Sequence, residues 1–265
     1  MPNDISRESV HTIIFSDTHV GSPLFHAKAL RAALSRYDAE QIIANGDFFD
    51  DSNLKRGRNS KEGRRLGETD VRPHRIPRSH LNLLEDVNDR AKDGCNNIWI
   101  TGNHDDDLGR VFAYFLGAQV AEEYSWEYKG KRFLAIHGDQ FDIFFHKYRN
   151  LSAFAARMYH LIQKSGSFGR RVCAILKSRS KRYIRALDFV ANGAIGYAAE
   201  NNMRHVFCGH THHAEHRSGN GVEYYNSGCW TSEPCSFITI GEKGIRIHYF
   251  NGEGEEIRIG GPFPI

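Results

Sequence analysis

Five short clusters rich in Asp, His and Asn recur along this 265-residue chain: Asp17-Thr18-His19, Gly46-Asp47, Gly102-Asn103-His104-Asp105, His137-Gly138-Asp139 and Gly209-His210-Thr211-His212. Each follows a short apolar run, at residues 12–15, 41–44, 98–100, 133–136 and 205–208. Runs of that length, bounded by glycine and polar residues, read as buried strands. The clusters therefore sit at strand ends. Strand ends on one edge of a layered α/β sheet converge in space while far apart in sequence, and loops there can vary without disturbing the core. A chain of this length can bury a large core as one domain, 1–265, with room for an insertion.

The residue types within the clusters point to metal chemistry. Hydrolysis of a phosphate ester needs cations on the phosphoryl oxygens and a water acidified enough to attack at neutral pH. Two divalent ions about 3.5–4 Å apart supply both, and a carboxylate is the natural bridge between them. Asp47, alone in its cluster, is the candidate bridge. Asp17, His19 and His212 would complete one site, and Asn103, His137 and His210 the other. Residues two apart on an extended segment point the same way, so Asp17 with His19 and His210 with His212 should each face one pocket. Imidazole, carboxylate and amide oxygen without thiolate favour Mn, with Fe or Zn as alternatives, over Mg or Ca. Any one cluster alone is weak, because Gly and Asn commonly mark turns and a lone His is usually a surface or satisfied core residue. The order of all five carries the reading.

Composition narrows the setting. No run of about 18 apolar residues occurs, and residues 1–11 are polar where a signal peptide needs an apolar stretch. The five cysteines lack a Cys-x-x-Cys pair, which fits a reducing cytoplasm. The net charge of +3 hides an asymmetry: residues 55–78 carry nine Lys or Arg against three acids, and residues 143–187 carry eleven against none. Such segments suit an anionic partner, against the plainer alternative of a solvated helix face. Within the second, Phe144, Tyr148, Leu151, Phe154, Ala155, Met158 and Ile162 recur at helical spacing. A further helix is predicted over 181–201, with Ile184, Leu187, Phe189 and Val190 buried. Residues 143–200 thus read as a helical cap inserted beside the metals. Asp106 and Asp107 read as the start of another helix, where carboxylates complement the dipole. Alternating runs near 223–227, 236–240 and 245–250 are expected to supply a second sheet.

The ordered clusters resemble those of the calcineurin-like metallophosphoesterase superfamily, over essentially the whole chain. That resemblance implies an α/β/β/α sandwich, here with the helical cap, and two divalent cations. It also implies that His104 assists the leaving group rather than ligating metal, with Asp105 holding and charging it. Two longer phrases, 136–142 followed after an insertion by 208–215, and Tyr225-Asn226-Ser227-Gly228-Cys229-Trp230, are similar to the UDP-2,3-diacylglucosamine pyrophosphatase group. The resemblance implies release of UMP and a lipid phosphate from a lipid-linked nucleotide sugar during lipid A synthesis. The setting would be cytoplasmic, peripheral to an anionic inner membrane, with no protein partner implied. Lys181, Arg182 and Arg185, at the start of a helix whose amides also favour anions, are the candidate phosphate or sugar contacts. A soluble phosphodiesterase acting on nucleic acid is the alternative; against it, residues 55–78 contain no aromatic residue for base stacking. A non-catalytic scaffold should have lost ligands, and none is missing.

Overall fold

The computed structural model describes residues 7–50, 76–105, 113, 116–142 and 181–265. Twelve strands form two sheets among these residues. The first, of seven strands, has the order β12-β11-β10-β1-β2-β3-β4. It comprises β1 (Glu8–Phe15), β2 (Tyr37–Asn45), β3 (Asn96–Ile100), β4 (Gln119–Ala121), β10 (Cys235–Gly241), β11 (Gly244–Phe250) and β12 (Glu256–Phe263). The second, of five, runs β5-β6-β7-β9-β8, from β5 (Glu123–Tyr128), β6 (Lys131–Ile136), β7 (His205–Cys208), β8 (Glu215–Gly219) and β9 (Val222–Asn226). Helices α1 (Ala27–Leu34) and α2 (Arg78–Lys92) flank the first sheet, and α3 (Lys181–Glu200) flanks the second.

Three apolar layers account for the stack. Leu30, Ala33, Leu83 and Val87 from α1 and α2 pack on Ile13, Phe15, Ile42 and Trp99. On the opposite face of the same strands, Ile14, Ile43 and Ile98 meet Phe133, Phe207 and Tyr225 of the second sheet. Leu134, Ile136, Val206 and Tyr224 turn outward and are covered by Ala191, Ala194, Ile195 and Ala198 of α3. Alternate residues of one strand thus serve different layers, as the two-residue period of a strand dictates. The result is the expected α/β/β/α sandwich.

Two expectations need correction. The C-terminal strands do not form the second sheet together. β9 joins it, pairing in parallel with β7, whereas β10 crosses to the first sheet and lies antiparallel to β1 at Ile14↔Ile238. An alternating pattern says that one face is buried but not against which sheet. The helix over 181–200 is part of the fold rather than an addition to it, because its Ala-rich face is the outer layer of the sandwich itself. Leu187 and Val190 are buried as expected, but Ile184 and Phe189 are each 46% exposed. The rest of the proposed cap (143–180), Asp106, Asp107 and residues 55–75 lie outside the described residues.

Candidate metal centre

All five clusters converge at one edge of the sandwich. β1, β2 and β3 run parallel and end together, at Phe15↔Ala44 and Asn45↔Ile100. β6, β7 and β9 do the same in the second sheet. Asp17 and His19 follow β1, Asp47 follows β2, Asn103 and His104 follow β3, His137 follows β6, and His210 and His212 follow β7.

Two groups of side chains can each hold a metal ion: Asp17, His19 and His212, and Asp47, His137 and His210, with ligand atoms in each group within 4.8 Å of one another. Asn103 adjoins the second group, its Oδ1 lying 3.1 Å from His210 Nδ1. Asp17 Oδ1 is 3.0 Å from His212 Nε2, and Asp47 Oδ2 is 3.4 Å from His137 Nε2. Neighbouring ligands of one ion, bound at about 2.1 Å and 90–110° apart, are separated by about 3.0–3.4 Å. Asp17 Oδ1 and His137 Nε2 are also buried without a hydrogen-bond partner. Buried polar atoms left unpaired are costly, and a cation in each group would satisfy the one that belongs to it. The residues therefore fit divalent metal.

Each carboxylate divides its labour. Asp17 Oδ2 accepts the backbone N–H of His210 at 3.0 Å, and Asp47 Oδ1 accepts that of His104 at 2.8 Å. The remaining oxygens face the imidazoles. Asp47 Oδ2 looks both ways: besides His137 of its own group it lies 3.9 Å from His19 Nε2 of the other.

The glycines of the clusters are there for room. A Cβ on Gly46 would collide with the His137 ring, on Gly102 with Asp47, and on Gly209 with Ser16 Oγ and Asp17 Oδ2 at 2.5 and 2.6 Å. The later Asn226-Ser227-Gly228-Cys229-Trp230 stretch braces the same loops. The Asn226 amide donates to Gly209 O at 2.7 Å and Thr211 Oγ1 at 3.2 Å, and Trp230 N–H donates to Asp17 O at 3.2 Å.

Electrostatically the centre consists of opposed charges. Burial works against ionisation of Asp17 and Asp47. The charges of His212 and His137 outweigh it and hold both carboxyls below their ordinary range, Asp47 well below. Burial likewise opposes charge on His137 and His212, yet Asp47 and Asp17 lift each to about 10. Burial takes His19 down to about 4, only partly countered by Asp47.

Two details differ from the sequence expectation. Asp17, His19, Asp47, His210 and His212 are not extended; their φ values are +53°, +48°, +49°, +63° and +56°. The pairs share a pocket because left-handed residues fold the loop back, not because an extended strand alternates. Asp105 does not hold His104. Its carboxylate accepts the N–H of Phe49 and of Gly102, both at 2.9 Å, and so ties the Asp47 loop to the Asn103 loop. Burial and the nearby Asp47 charge raise Asp105 to about 6. His104 is exposed, its ring edge-on to His19 at 5.1 Å. Arg185 is exposed on α3, and the side chains of Lys181 and Arg182 lie outside the described residues.

Sequence reasoning passed over the residues that hold the ligands from behind. His137 Nδ1 donates to Asn45 O at 3.0 Å, His210 Nε2 donates to Asp142 Oδ2 at 3.1 Å, and the His212 ring hydrogen-bonds the Cys229 thiol. Asn45 adjoins the motif glycine Gly46, while Asp142 and Cys229 lie within the phrases 136–142 and 225–230, where nothing in the sequence marks a role of their own.

Residues 10–214 match the family model described as calcineurin-like phosphoesterase. The chain is also similar to several solved structures. One is a novel archaeal phosphodiesterase, at 15% identity over 90% of this chain and 99% of that one, TM-score 0.45. A second is a predicted phosphoesterase of Streptococcus pneumoniae, at 14% over 94% and 92%, TM-score 0.42. A third is vacuolar protein sorting 29 of Cryptosporidium parvum, at 11% over 94% of each chain, TM-score 0.45. No curated protein matches the sequence.

Proposed function

The chain belongs to the calcineurin-like phosphoesterase family and is a metal-dependent phosphoester hydrolase, and from that premise we propose that it works with two divalent cations, Mn in the first instance, on the pyrophosphate of UDP-2,3-diacylglucosamine. One observation carries the two-cation reading: Asp47 Oδ2 faces His137 of one group at 3.4 Å and His19 of the other at 3.9 Å. Cations held there withdraw charge from the phosphoryl oxygens and acidify the attacking water. The chain's own residues do the rest. Asp17 and Asp47 fix the loops with one oxygen and face the histidine ligands with the other. His104, exposed beside His19, donates a proton to the leaving oxygen.

The substrate reading rests on the sequence phrases 136–142, 208–215 and 225–230 and on the acid-free basic segment 143–187. The mixed surface of α3 adds support: exposed Ile184 and Phe189 flank the exposed Arg185, a combination suited to acyl chains and phosphate at an anionic membrane surface. Lys181, Arg182 and Arg185 are the proposed phosphate or sugar contacts, in a single domain over 1–265. No helix of the described residues is long and apolar enough to cross a membrane.

The test uses metal-stripped protein reloaded with Mn and offered UDP-2,3-diacylglucosamine, a small chromogenic phosphodiester and single-stranded nucleic acid. UMP release should dominate. Cleavage of nucleic acid with steep salt dependence and no UMP would assign the basic segments to a nuclease instead. Asp47→Ala should lose both cations, whereas His104→Ala should keep both and lose about 10²–10⁴ in turnover. Two-metal occupancy in Asp47→Ala would sink the bridge.

A further inference from the structure

A metal-ligating histidine presents one ring nitrogen to the ion, and the hydrogen bond made by its other nitrogen decides which one. His137 is settled by Asn45: a carbonyl can only accept, so Nδ1 carries the proton and Nε2 faces Asp47. His210 is turned the opposite way. Its Nε2 lies 3.1 Å from Asp142 Oδ2 and its Nδ1 lies 3.1 Å from Asn103 Oδ1. A carboxylate also only accepts, so Nε2 carries a proton, which makes Nδ1, beside the Asn103 oxygen, the nitrogen that can ligate. A cation ligated by Nδ1 and Asn103 Oδ1 would take the place of any proton shared between them.

Asp142 belongs to none of the five clusters, and its position is built with care. Gly138, at φ +105°, turns the chain out of β6 into a short 3-10 turn, Asp139–Phe141. The Asp142 N–H closes that turn on Asp139 O at 3.0 Å. Phe141 then seats on α3, its ring 6.1 Å from that of Tyr197 and so close to Gly193 that a Cβ there would lie 2.8 Å from it. The helix that covers the second sheet thereby sets where the Asp142 carboxylate stands.

We propose that Asp142 is the positioning residue of the second metal group, fixing His210 with Nδ1 toward Asn103 and Asp47. The inference rests on the two-cation reading of the centre and names a residue on which only one of the two cations depends. The carboxylate also makes His210 a more basic ligand than a neutral acceptor would. His212 has a different support, the thiol of Cys229, so loss of Asp142 leaves the first group intact.

The full chain, stripped of metal and titrated with Mn by calorimetry, tests this with Asp142→Ala and Asp142→Asn, alongside thermal melts of the metal-free proteins. Asp142→Ala should weaken one of two sites by about 10–100-fold and leave the other unchanged. Asp142→Asn keeps an acceptor and should lose less, still at one site only; it reads the charge alone should the alanine variant fail to fold. A third variant, Gly193→Ala, changes nothing within reach of the metal yet displaces Phe141, and should weaken the same site. Cobalt absorption reports the geometry of that site independently of turnover. Two unchanged sites in either Asp142 variant would overturn the proposal. Equal weakening of both sites together with a lowered metal-free melt would also overturn it, since that is what a merely structural residue does. Wild-type protein that binds fewer than two Mn would overturn the two-cation reading as well, which separates the two failures.

Discussion

Gly209→Ala tests whether the motif glycines exist to make room for ligands. Gly209 has no left-handed φ to protect, so alanine suits its backbone and only the methyl group matters. That Cβ would stand 2.6 Å from both Asp17 Oδ2 and Ser16 Cβ, and 2.5 Å from Ser16 Oγ, where ordinary contact begins at 3.4 Å. Ser16 is buried and held by Ser227 Oγ at 2.8 Å and Gly228 O at 3.1 Å, so it cannot give way. The Asp17 carboxylate must retreat by about 0.8 Å, several times the tolerance of about 0.2 Å in a metal–ligand distance. We expect Mn affinity at the group of Asp17, His19 and His212 to fall at least 10–100-fold, the loss that follows removal of an outer-shell partner. Overpacking should destabilise the metal-free fold by about 1–3 kcal/mol. Gly196→Ala on α3 is the control. A Cβ there meets nothing within 4 Å, so it should stabilise the fold by about 0.4–1 kcal/mol and leave Mn binding alone. Calorimetric Mn titration and metal-free melts measure both. Wild-type Mn affinity in Gly209→Ala would refute the steric account of that glycine.

Two further outcomes follow from charge. His137 and His212, lifted to about 10 by Asp47 and Asp17, are protonated at neutral pH without metal; ligation requires them neutral, so filling both groups should release about two protons and tighten as pH rises. Calorimetry in buffers of different ionisation enthalpy reads this, and a buffer-independent heat would contradict it. His205 is buried against Phe133, ring centroids 4.6 Å apart, with neither nitrogen hydrogen-bonded, and burial takes its pKa down to about 4. Because the unfolded chain binds that proton at a higher pH, stability is lost as pH falls from about 6.5 through about 4, by up to about 3 kcal/mol. His205→Phe should flatten this acid limb in melts between pH 8 and 4, and an unchanged slope would rule His205 out as its source.

The site was legible in the sequence because each strand that ends at the catalytic edge is a short apolar run followed by a ligand cluster, and four of the five clusters contain a glycine. What was not legible depends on partners outside the run. The patterns of β9 and β10 look alike, yet the outward face of β9, with Tyr224, packs under α3 while that of β10, with Phe237, packs under α1 and α2, because the two strands join different sheets. The Ala-rich face of α3 reads equally well as the lining of a cap or as a flanking layer, and contact with Val206 and Tyr224 decides for the layer. Asp105 stands next to His104 in the chain but its carboxylate points away, to the N–H groups of Phe49 and Gly102. Adjacency in sequence misled there because a tight turn sends neighbouring side chains in different directions.

The left-handed conformations at the ligands bear on how the metals are held. Non-glycine residues in that region cost about 1–2 kcal/mol each, and five of the six residues in the two groups adopt it. Buried hydrogen bonds oppose that cost. His19 N–H donates to Asp47 O at 3.0 Å, Asp17 N–H to Gly46 O at 3.1 Å, and the N–H groups of His210 and His104 reach the Asp17 and Asp47 carboxylates. Bonds to charged acceptors contribute about 1.5–3 kcal/mol, enough to offset a left-handed residue apiece. The same two carboxylates therefore shape the loops before any cation arrives. Binding energy from the metals need not be consumed in ordering the chain.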